Sequence, residues 1–353
     1  MPITRILQLG LAAATVAIMT ACATPAVESN EPPKADALWI ADSVSPEAKT
    51  AMTALLALVG QVQPSTDYPK TPAEWAAGRE QVEQFTLAFT QPLVDALSPD
   101  VSEIELGSVP ALKVVPKDGG PKAGVLIYVH GGGFTNLSAR STLSGAALMA
   151  AKTGRVVYSL DYTRAPDAKW DEITDQVLSA YAALLADGET ANQIGIFGDS
   201  AGGTIVAASM LKLRDKGGPM PAAIVLQSPV SDLTLSGDTI RTVAAFDPAL
   251  DVGYARARFA QYASPSEFTN PYVSPVYGTY AAGFPPVLIQ AGTREIVLSD
   301  SVRLHQQISK TGGKAVLDVY EGMPHVFQSL LPGTPESDTA YARSAAFWDE
   351  HIE

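Results

Sequence analysis

Gly198-Asp199-Ser200-Ala201-Gly202 sets a serine between two glycines, after the apolar run Gln193–Phe197 and before a helical pattern over Gly202–Asp215. Strand, sharp turn and helix are the setting in which such a serine becomes a nucleophile. The turn holds the serine in a strained backbone conformation and crowds the positions two residues to either side, where only glycine fits. Its oxygen then stands clear of the sheet, and the helix N-terminus favours negative charge beside it. An ordinary glycine-rich β-to-α turn uses the same residue types, so the pentapeptide needs partners elsewhere in the chain.

Acyl transfer also needs fixed N–H donors where the tetrahedral oxyanion forms, each typically worth about 3 kcal/mol. Val125–Val129 ends in His130-Gly131-Gly132-Gly133-Phe134, and three successive glycines leave backbone N–H groups open. Two of these, with the N–H of Ala201, would supply the donors. A phosphate-binding loop is the rival reading, but G-x-G-x-x-G and the P-loop lysine are both missing.

A serine nucleophile also needs a histidine base, and the chain has four histidines. His130 belongs to the glycine loop, where its ring would brace the turn. His305 lies inside a helical stretch and His351 among the last three residues. His325 alone follows a strand, in Gly322-Met323-Pro324-His325-Val326-Phe327, and completes the chain order serine, acid, histidine. The acid should end the preceding strand. Glu295 lies three residues beyond Gly292 on that loop, whereas Asp300 falls in the first turn of a helix, where capping and helix-end charge explain an aspartate. Glu295 is therefore the favoured acid, with the role of holding the imidazole tautomer and stabilising the imidazolium.

These residues sit at the ends of apolar runs. The runs are Ala111–Val115, Val125–His130, Val156–Asp161, Gln193–Phe197, Ala223–Gln227, Val287–Gln290 and Ala315–Tyr320. Helical stretches lie around Ala139–Lys152, Ile173–Ala186, Gly202–Asp215, Leu298–Lys310 and Ser337–His351. Such alternation predicts an α/β fold with a mainly parallel sheet covered on both faces and ligands at the carboxyl ends of its strands. Two stretches break the alternation: Pro46–Ala96 is helix-like, and Leu233–Gly283 is long and aperiodic. A structureless loop of that length is improbable in a compact domain, so the two are read together as a helical cap. Phe246, Tyr254 and Tyr262 would either line a substrate pocket there or simply pack the cap.

The whole chain has 353 residues, a net charge of −13 and 46% hydrophobic against 17% charged residues. That balance supports a large core and gives no basic surface for nucleic acid. The single cysteine excludes internal disulfides, and the histidines show no metal-ligand spacing, so no metal or cofactor is expected. The cysteine is Cys22. Arg5, the alanine-rich run Ile6–Thr20 and Ala21 before Cys22 read as a charged n-region, a short h-region and a small-residue cleavage site. A cysteine at that point resembles a bacterial lipoprotein signal, with Met19 where leucine is usual. The expected organisation is a signal peptide over 1–21, a proline-bearing flexible tether over 22–45 starting at a lipidated Cys22, and one hydrolase domain over 46–353 whose cap comes from about 46–100 and 235–283. The protein would then be exported and lipid-anchored in a bacterial cell envelope, at the periplasmic face or the outer membrane.

Together, His130–Phe134, Gly198–Gly202, Asp161-Tyr162 with Ala165-Pro166, the Glu295 segment and Gly322–Phe327 resemble the hormone-sensitive-lipase-like branch of the α/β-hydrolases, which includes bacterial carboxylesterases. The resemblance runs from about residue 80 to the C-terminus with the motifs in order. It implies an α/β-hydrolase fold with an eight-stranded-type sheet, a triad of Ser200, Glu295 and His325, and oxyanion donors at Gly132, Gly133 and Ala201, with His130, Gly131 and Asp199 in support. Ser231–Asp238 and the glutamate acid are similar to the group containing monoterpene ε-lactone hydrolases. Thr163 and Asp167 depart from the Arg and Glu usual at their positions. Asp199 stands at a variable position of the motif, where charge at a helix N-terminus would explain it.

The implied function is hydrolysis of short- to medium-chain carboxylic esters through an acyl-enzyme. A lactonase, or a deacetylase of a larger acylated molecule, differs only in what the cap admits. A catalytically inactive envelope binding lipoprotein is the alternative of another class. The partner in the first two cases is a small ester or lactone, and a homodimer is left open.

Overall fold

The computed structural model describes residues 39–59, 68–117, 121–281 and 283–353. The leader over 1–21, the lipid attachment expected at Cys22 and the tether as far as residue 38 lie outside the described residues.

Eight strands form one sheet in the order β1-β2-β4-β3-β5-β6-β7-β8. They are β1 (Asp100–Leu106), β2 (Val109–Val115), β3 (Val125–Val129), β4 (Val156–Leu160), β5 (Ile194–Asp199), β6 (Ala223–Gln227), β7 (Val287–Arg294) and β8 (Ala315–Pro324). β2 runs antiparallel to both β1 and β4, and every other neighbouring pair is parallel. The central strands β3, β5 and β6 are buried along their whole length, which is why they read as apolar runs, broken only at the carboxyl ends by Asp199 and Gln227. β1 lies outside the apolar runs of the sequence. Its sequence Asp-Val-Ser-Glu-Ile-Glu-Leu is largely exposed, as an antiparallel edge strand with one solvated face can be.

Ten helices accompany the sheet among the described residues: α1 (Pro46–Val59), α2 (Pro72–Leu97), α3 (Leu143–Thr153), α4 (Trp170–Ala186), α5 (Ala201–Asp215), α6 (Thr239–Thr242), α7 (Val252–Tyr262), α8 (Leu298–Lys310), α9 (Phe327–Leu330) and α10 (Pro335–His351). The period-2 alternation of the strands divides the core between them. Ile127 and Val129 of β3 share a cluster with Ile173 of α4, Ile205 of α5 and Leu304 of α8. Leu126 and Tyr128 share the opposite cluster with Leu143 of α3 and Trp348 of α10. Helix α3 starts four residues later than its pattern predicts. Ser138 and Ser141 exchange side-chain and backbone hydrogen bonds just ahead of it, holding residues 139–142 in turns.

α1 and α2 divide the N-terminal segment. Ala48, Met52 and Leu55 of α1 pack against Met323, Phe327, Leu331 and Ala340, burial worth about 1.5–3 kcal/mol for each large side chain. α2 starts with a capping box between Thr71 and Glu74, and its Thr86, Phe89 and Thr90 reach the central cavity. The region 235–283 holds α6, α7 and two short 3-10 turns, Pro265–Glu267 and Pro275–Tyr277.

The tether expected to run through residue 45 ends sooner. Ala41 and Val44 are buried in the α1 cluster, Ser43 hydrogen-bonds Glu321, and Ser45 donates twice to Glu336 at 2.8 Å. Trp39 also accepts, through its carbonyl, from Arg294 Nη1 at 2.5 Å. Backbone held by these bonds from residue 39 onward is part of the folded domain.

Candidate active site

The loops that carry the candidate residues leave the carboxyl ends of four parallel strands: β3 for His130–Phe134, β5 for Ser200, β7 for Glu295 and β8 for His325. Neighbouring parallel strands all point the same way, so residues far apart in sequence converge at one edge of the sheet.

Ser200 has φ 52° and ψ −122°, outside the usual range for a residue with a side chain. Two glycines permit that turn. A Cβ on Gly202 would lie 2.0 Å from the Val129 carbonyl oxygen, and one on Gly198 would lie 2.6 Å from the Gly202 backbone. Ser200 Oγ lies 2.8 Å from His325 Nε2, and His325 Nδ1 lies 2.6 Å from Glu295 Oε2. The other carboxylate oxygen of Glu295 accepts the Gly292 N–H at 2.7 Å, so the acid is pinned by its own strand end. Glu295 has no solvent exposure. Burial on its own disfavours a charged imidazole at His325, but the hydrogen bond and charge of Glu295, with Asp247 and Asp199 nearby, leave its pKa raised above 6.5.

Asp300 is not part of this chain of contacts. Its Oδ2 accepts the Asp232 N–H at 3.0 Å, and burial pushes its carboxyl well above the usual range. It does not cap its own helix, whose N-cap is Val297. The expected helix-capping role is thus replaced by a bridge to the loop after β6. His305 sits on α8, and His351 ends α10 with Nδ1 2.8 Å from the Phe347 carbonyl; neither hydrogen-bonds Ser200 or Glu295.

The three glycines of the loop do different work. Gly131 N–H is taken by Asp199 Oδ1 at 3.1 Å, which removes it from the supply of donors. The N–H groups of Gly132 and Gly133, at φ 103° and 61°, meet no acceptor among the described residues, and that of Ala201 opens α5, where no intrahelical acceptor exists. His130 is fully buried, its Nδ1 2.8 Å from the Gly131 carbonyl and its ring stacked on Tyr162 at 4.4 Å. Burial holds it neutral, with a pKa lowered to about 4. It braces the turn through one ring nitrogen only, because Nε2 is buried without a partner among the described residues.

Asp199 does more than its position suggested. Beyond carrying charge beside the start of α5, its Oδ1 also accepts the Tyr128 hydroxyl at 2.5 Å, so the end of β5 holds both β3 and the glycine loop. A Cβ on Gly131 would come within 2.4 Å of its Oδ2. Asp167 and Thr163, the two departures, also have local partners. Asp167 pairs with Arg79 of α2 at 2.8 Å, and Arg79 further donates to the carbonyls of Thr135 and Ala165. Thr163 exchanges two hydrogen bonds with Gln176.

Ser200 and His325 open into a cavity of about 190 Å³ lined mainly by apolar side chains, among them Phe89, Leu137, Leu235, Leu250, Phe259 and Val297. Of the three aromatic candidates only Tyr254 lines it. Tyr262 is buried and stacks on Phe134 at 4.0 Å, and Phe246 is half turned to solvent. Ser231–Asp238 is organised by Asp232, which accepts from Thr234, Ser236 and Arg303, and Leu235 is its contribution to the cavity.

The family profile described as alpha/beta hydrolase fold matches residues 126–329. The chain belongs to the α/β-hydrolases. Among curated relatives of this α/β-hydrolase, the acetyl-hydrolase of Streptomyces hygroscopicus is 32% identical over 222 residues, 63% of this chain and 74% of that protein. An esterase of Acinetobacter venetianus is 31% identical over 224 residues, again 63% and 74%. Among solved structures, an esterase from the bacterial hormone-sensitive lipase family superposes with a TM-score of 0.77 at 29% identity, covering 88% of this chain and 99% of that one. A hormone-sensitive lipase from a metagenome library gives 0.79 at 28%, covering 88% and 100%. This α/β-hydrolase falls in the hormone-sensitive-lipase-like branch and is a carboxylic ester hydrolase.

Proposed function

We propose that this hydrolase cleaves short- to medium-chain carboxylic esters through an acyl-enzyme on Ser200, with His325 as base and Glu295 as the acid that holds it. The observation that carries the proposal is the unbroken line from Glu295 Oε2 to His325 to Ser200 Oγ, with contacts of 2.6 and 2.8 Å. His325 Nδ1–H donates to the carboxylate, which leaves Nε2 free to accept the Ser200 proton as Oγ attacks the ester carbonyl. The oxyanion is received by the N–H groups of Gly132, Gly133 and Ala201. His325 returns the proton to the departing alkoxide, and water releases the acid by the same path in reverse. The apolar lining of the cavity favours an uncharged acyl chain over a polar one, and its volume of about 190 Å³ favours a short one.

The chain-length profile tests this directly. Hydrolysis of p-nitrophenyl esters from acetate to decanoate should peak between C2 and C8, and a profile still rising at C10 would overturn the size argument. Cys22 is proposed as the lipid-bearing N-terminus of the mature protein, anchoring the enzyme to a bacterial envelope membrane. That proposal rests on the charged and apolar residues preceding Cys22 and on the small residue next to it.

A further inference from the structure

Arg258 of α7 is 6% exposed, and no carboxylate pairs with it among the described residues. Burying a guanidinium without a counter-ion is costly, so its surroundings must serve some purpose. All of them are neutral. Nη1 donates to the Gly132 carbonyl at 3.1 Å, and Asn136, with its amide oxygen turned to the guanidinium, accepts from Nη2 at 2.8 Å. Tyr254, one turn earlier on α7, lies under the guanidinium with its ring centre 4.1 Å from Cζ. Nε has no partner among the described residues.

The Gly132 carbonyl is the other end of the peptide group whose N–H belongs to Gly133. A donor on a peptide oxygen draws electron density toward it and makes the N–H at the opposite end a stronger donor. A charged donor does so most, and here the charge is also fixed within the site: a Cβ on Gly133 would meet Nη1 at 2.5 Å and Cδ at 2.7 Å. The same carbonyl accepts the N–H groups of Asn136 at 3.0 Å and Thr135 at 3.3 Å, so the peptide plane is held by three donors.

Resting on the proposed oxyanion role of Gly132, Gly133 and Ala201, we infer that Arg258 is a positioning residue for the reaction: it orients and polarises the Gly132–Gly133 peptide from its carbonyl end, with a positive charge that no carboxylate offsets. The interaction gains strength only as negative charge develops, which is the condition for lowering a barrier rather than tightening ground-state binding. It also links catalysis to the cap. Tyr254 continues into a stack with Tyr68 at 5.5 Å and Trp75 at 6.2 Å, so α7 and the N-terminal segment jointly hold the guanidinium in place.

Arg258→Met and Arg258→Lys separate this from a packing role. With p-nitrophenyl acetate, Arg258→Met should lower kcat about 10- to 100-fold with KM within about threefold, less than loss of a whole oxyanion donor. Arg258→Lys keeps the charge without the two-pronged contact and should recover part of the loss. Inhibition by an alkyl trifluoromethyl ketone, which forms an oxyanion on the serine, should weaken by the same factor as kcat/KM. The matching methyl ketone should bind unchanged. Folded variants, checked by thermal unfolding, with kcat within twofold of wild type would overturn the inference, as would equal weakening of both ketones. If Arg258→Met does not fold, Arg258→Lys carries the same comparison. A Ser200→Ala protein assayed in parallel keeps the two failures apart, since its retained activity would refute the serine mechanism and not the role of Arg258.

Discussion

Replacing Glu295 with glutamine removes one charge and almost no volume, and the contacts of the carboxylate dictate the outcome. Both oxygens now accept: Oε1 from the Gly292 N–H at 2.7 Å and Oε2 from His325 Nδ1–H at 2.6 Å. Glutamine has one oxygen. The Gly292 N–H is fixed by the backbone and can only donate, so the amide oxygen is required there and the NH₂ turns to His325. Facing a donor, Nδ1 must become the acceptor, which moves the ring proton to Nε2, the atom 2.8 Å from Ser200 Oγ that would receive the serine proton in the proposed mechanism. The variant therefore loses both the correct tautomer and the anion that stabilises the imidazolium. We expect kcat to fall about 10³- to 10⁴-fold, or about 4–5.5 kcal/mol, with thermal stability little changed and KM within a few-fold. Initial rates on p-nitrophenyl acetate measure this, with Asp300→Asn as the control. Asp300 touches Asp232 and not the imidazole, so its amide variant should keep kcat within about fivefold of wild type while lowering the melting temperature. Near-normal turnover in Glu295→Gln together with collapse in Asp300→Asn would refute the assignment of the acid.

Three other outcomes are expected from the same set of contacts and from the N-terminal residues. As the proposed base His325 must be neutral, and Glu295 holds its pKa above 6.5, so kcat/KM should fall as pH drops through an inflection above that value, and an inflection below 6.5 would contradict it. Gly131→Ala should cut turnover at least tenfold with substrate affinity largely kept, because its Cβ would lie 2.4 Å from Asp199 Oδ2 and 3.1 Å from Ser200 Cβ; steady-state kinetics on folded protein decide it. Cys22→Ser, expressed in a bacterial host, should abolish palmitate labelling and move the enzyme out of the membrane fraction, whereas unchanged labelling would exclude lipidation at that residue.

The architecture and the placement of most candidate residues are readable from local pattern. Buried parallel strands are apolar over most of their length, with polar residues gathered toward their carboxyl ends, and the residues around Ser200 and Gly132 are constrained by backbone geometry that only glycine tolerates, so both leave strong short-range marks. Glu295 is harder to separate from Asp300, because both are acids just past a strand: loop position favours Glu295, and the contact with His325 separates the two directly. Arg258 left no mark at all. An arginine four residues after a tyrosine on an amphipathic helix resembles any solvated helix face, and its meaning comes from a carbonyl 126 positions away in the chain. The docking of residues 39–45 was hidden for the opposite reason: Ala41 and Val44 are small, and the polar residues around them suggest a linker until Glu321 and Glu336 are found to receive their hydroxyls. Asp199 shows how one feature can have two causes, since helix-end charge explains an aspartate there but not its bonds to Tyr128 and Gly131.

In the proposed mechanism ester hydrolysis runs through a covalent intermediate on Ser200. Wild-type protein titrated with an organophosphonate ester should lose activity in proportion to one mass adduct per chain, peptide mapping should locate the adduct at Ser200, and Ser200→Ala should take up no label and hydrolyse p-nitrophenyl acetate no faster than about 10⁻⁴ of the wild-type rate. A Ser200→Ala enzyme that keeps substantial turnover, or a fully labelled wild type whose adduct maps to another residue, would contradict it.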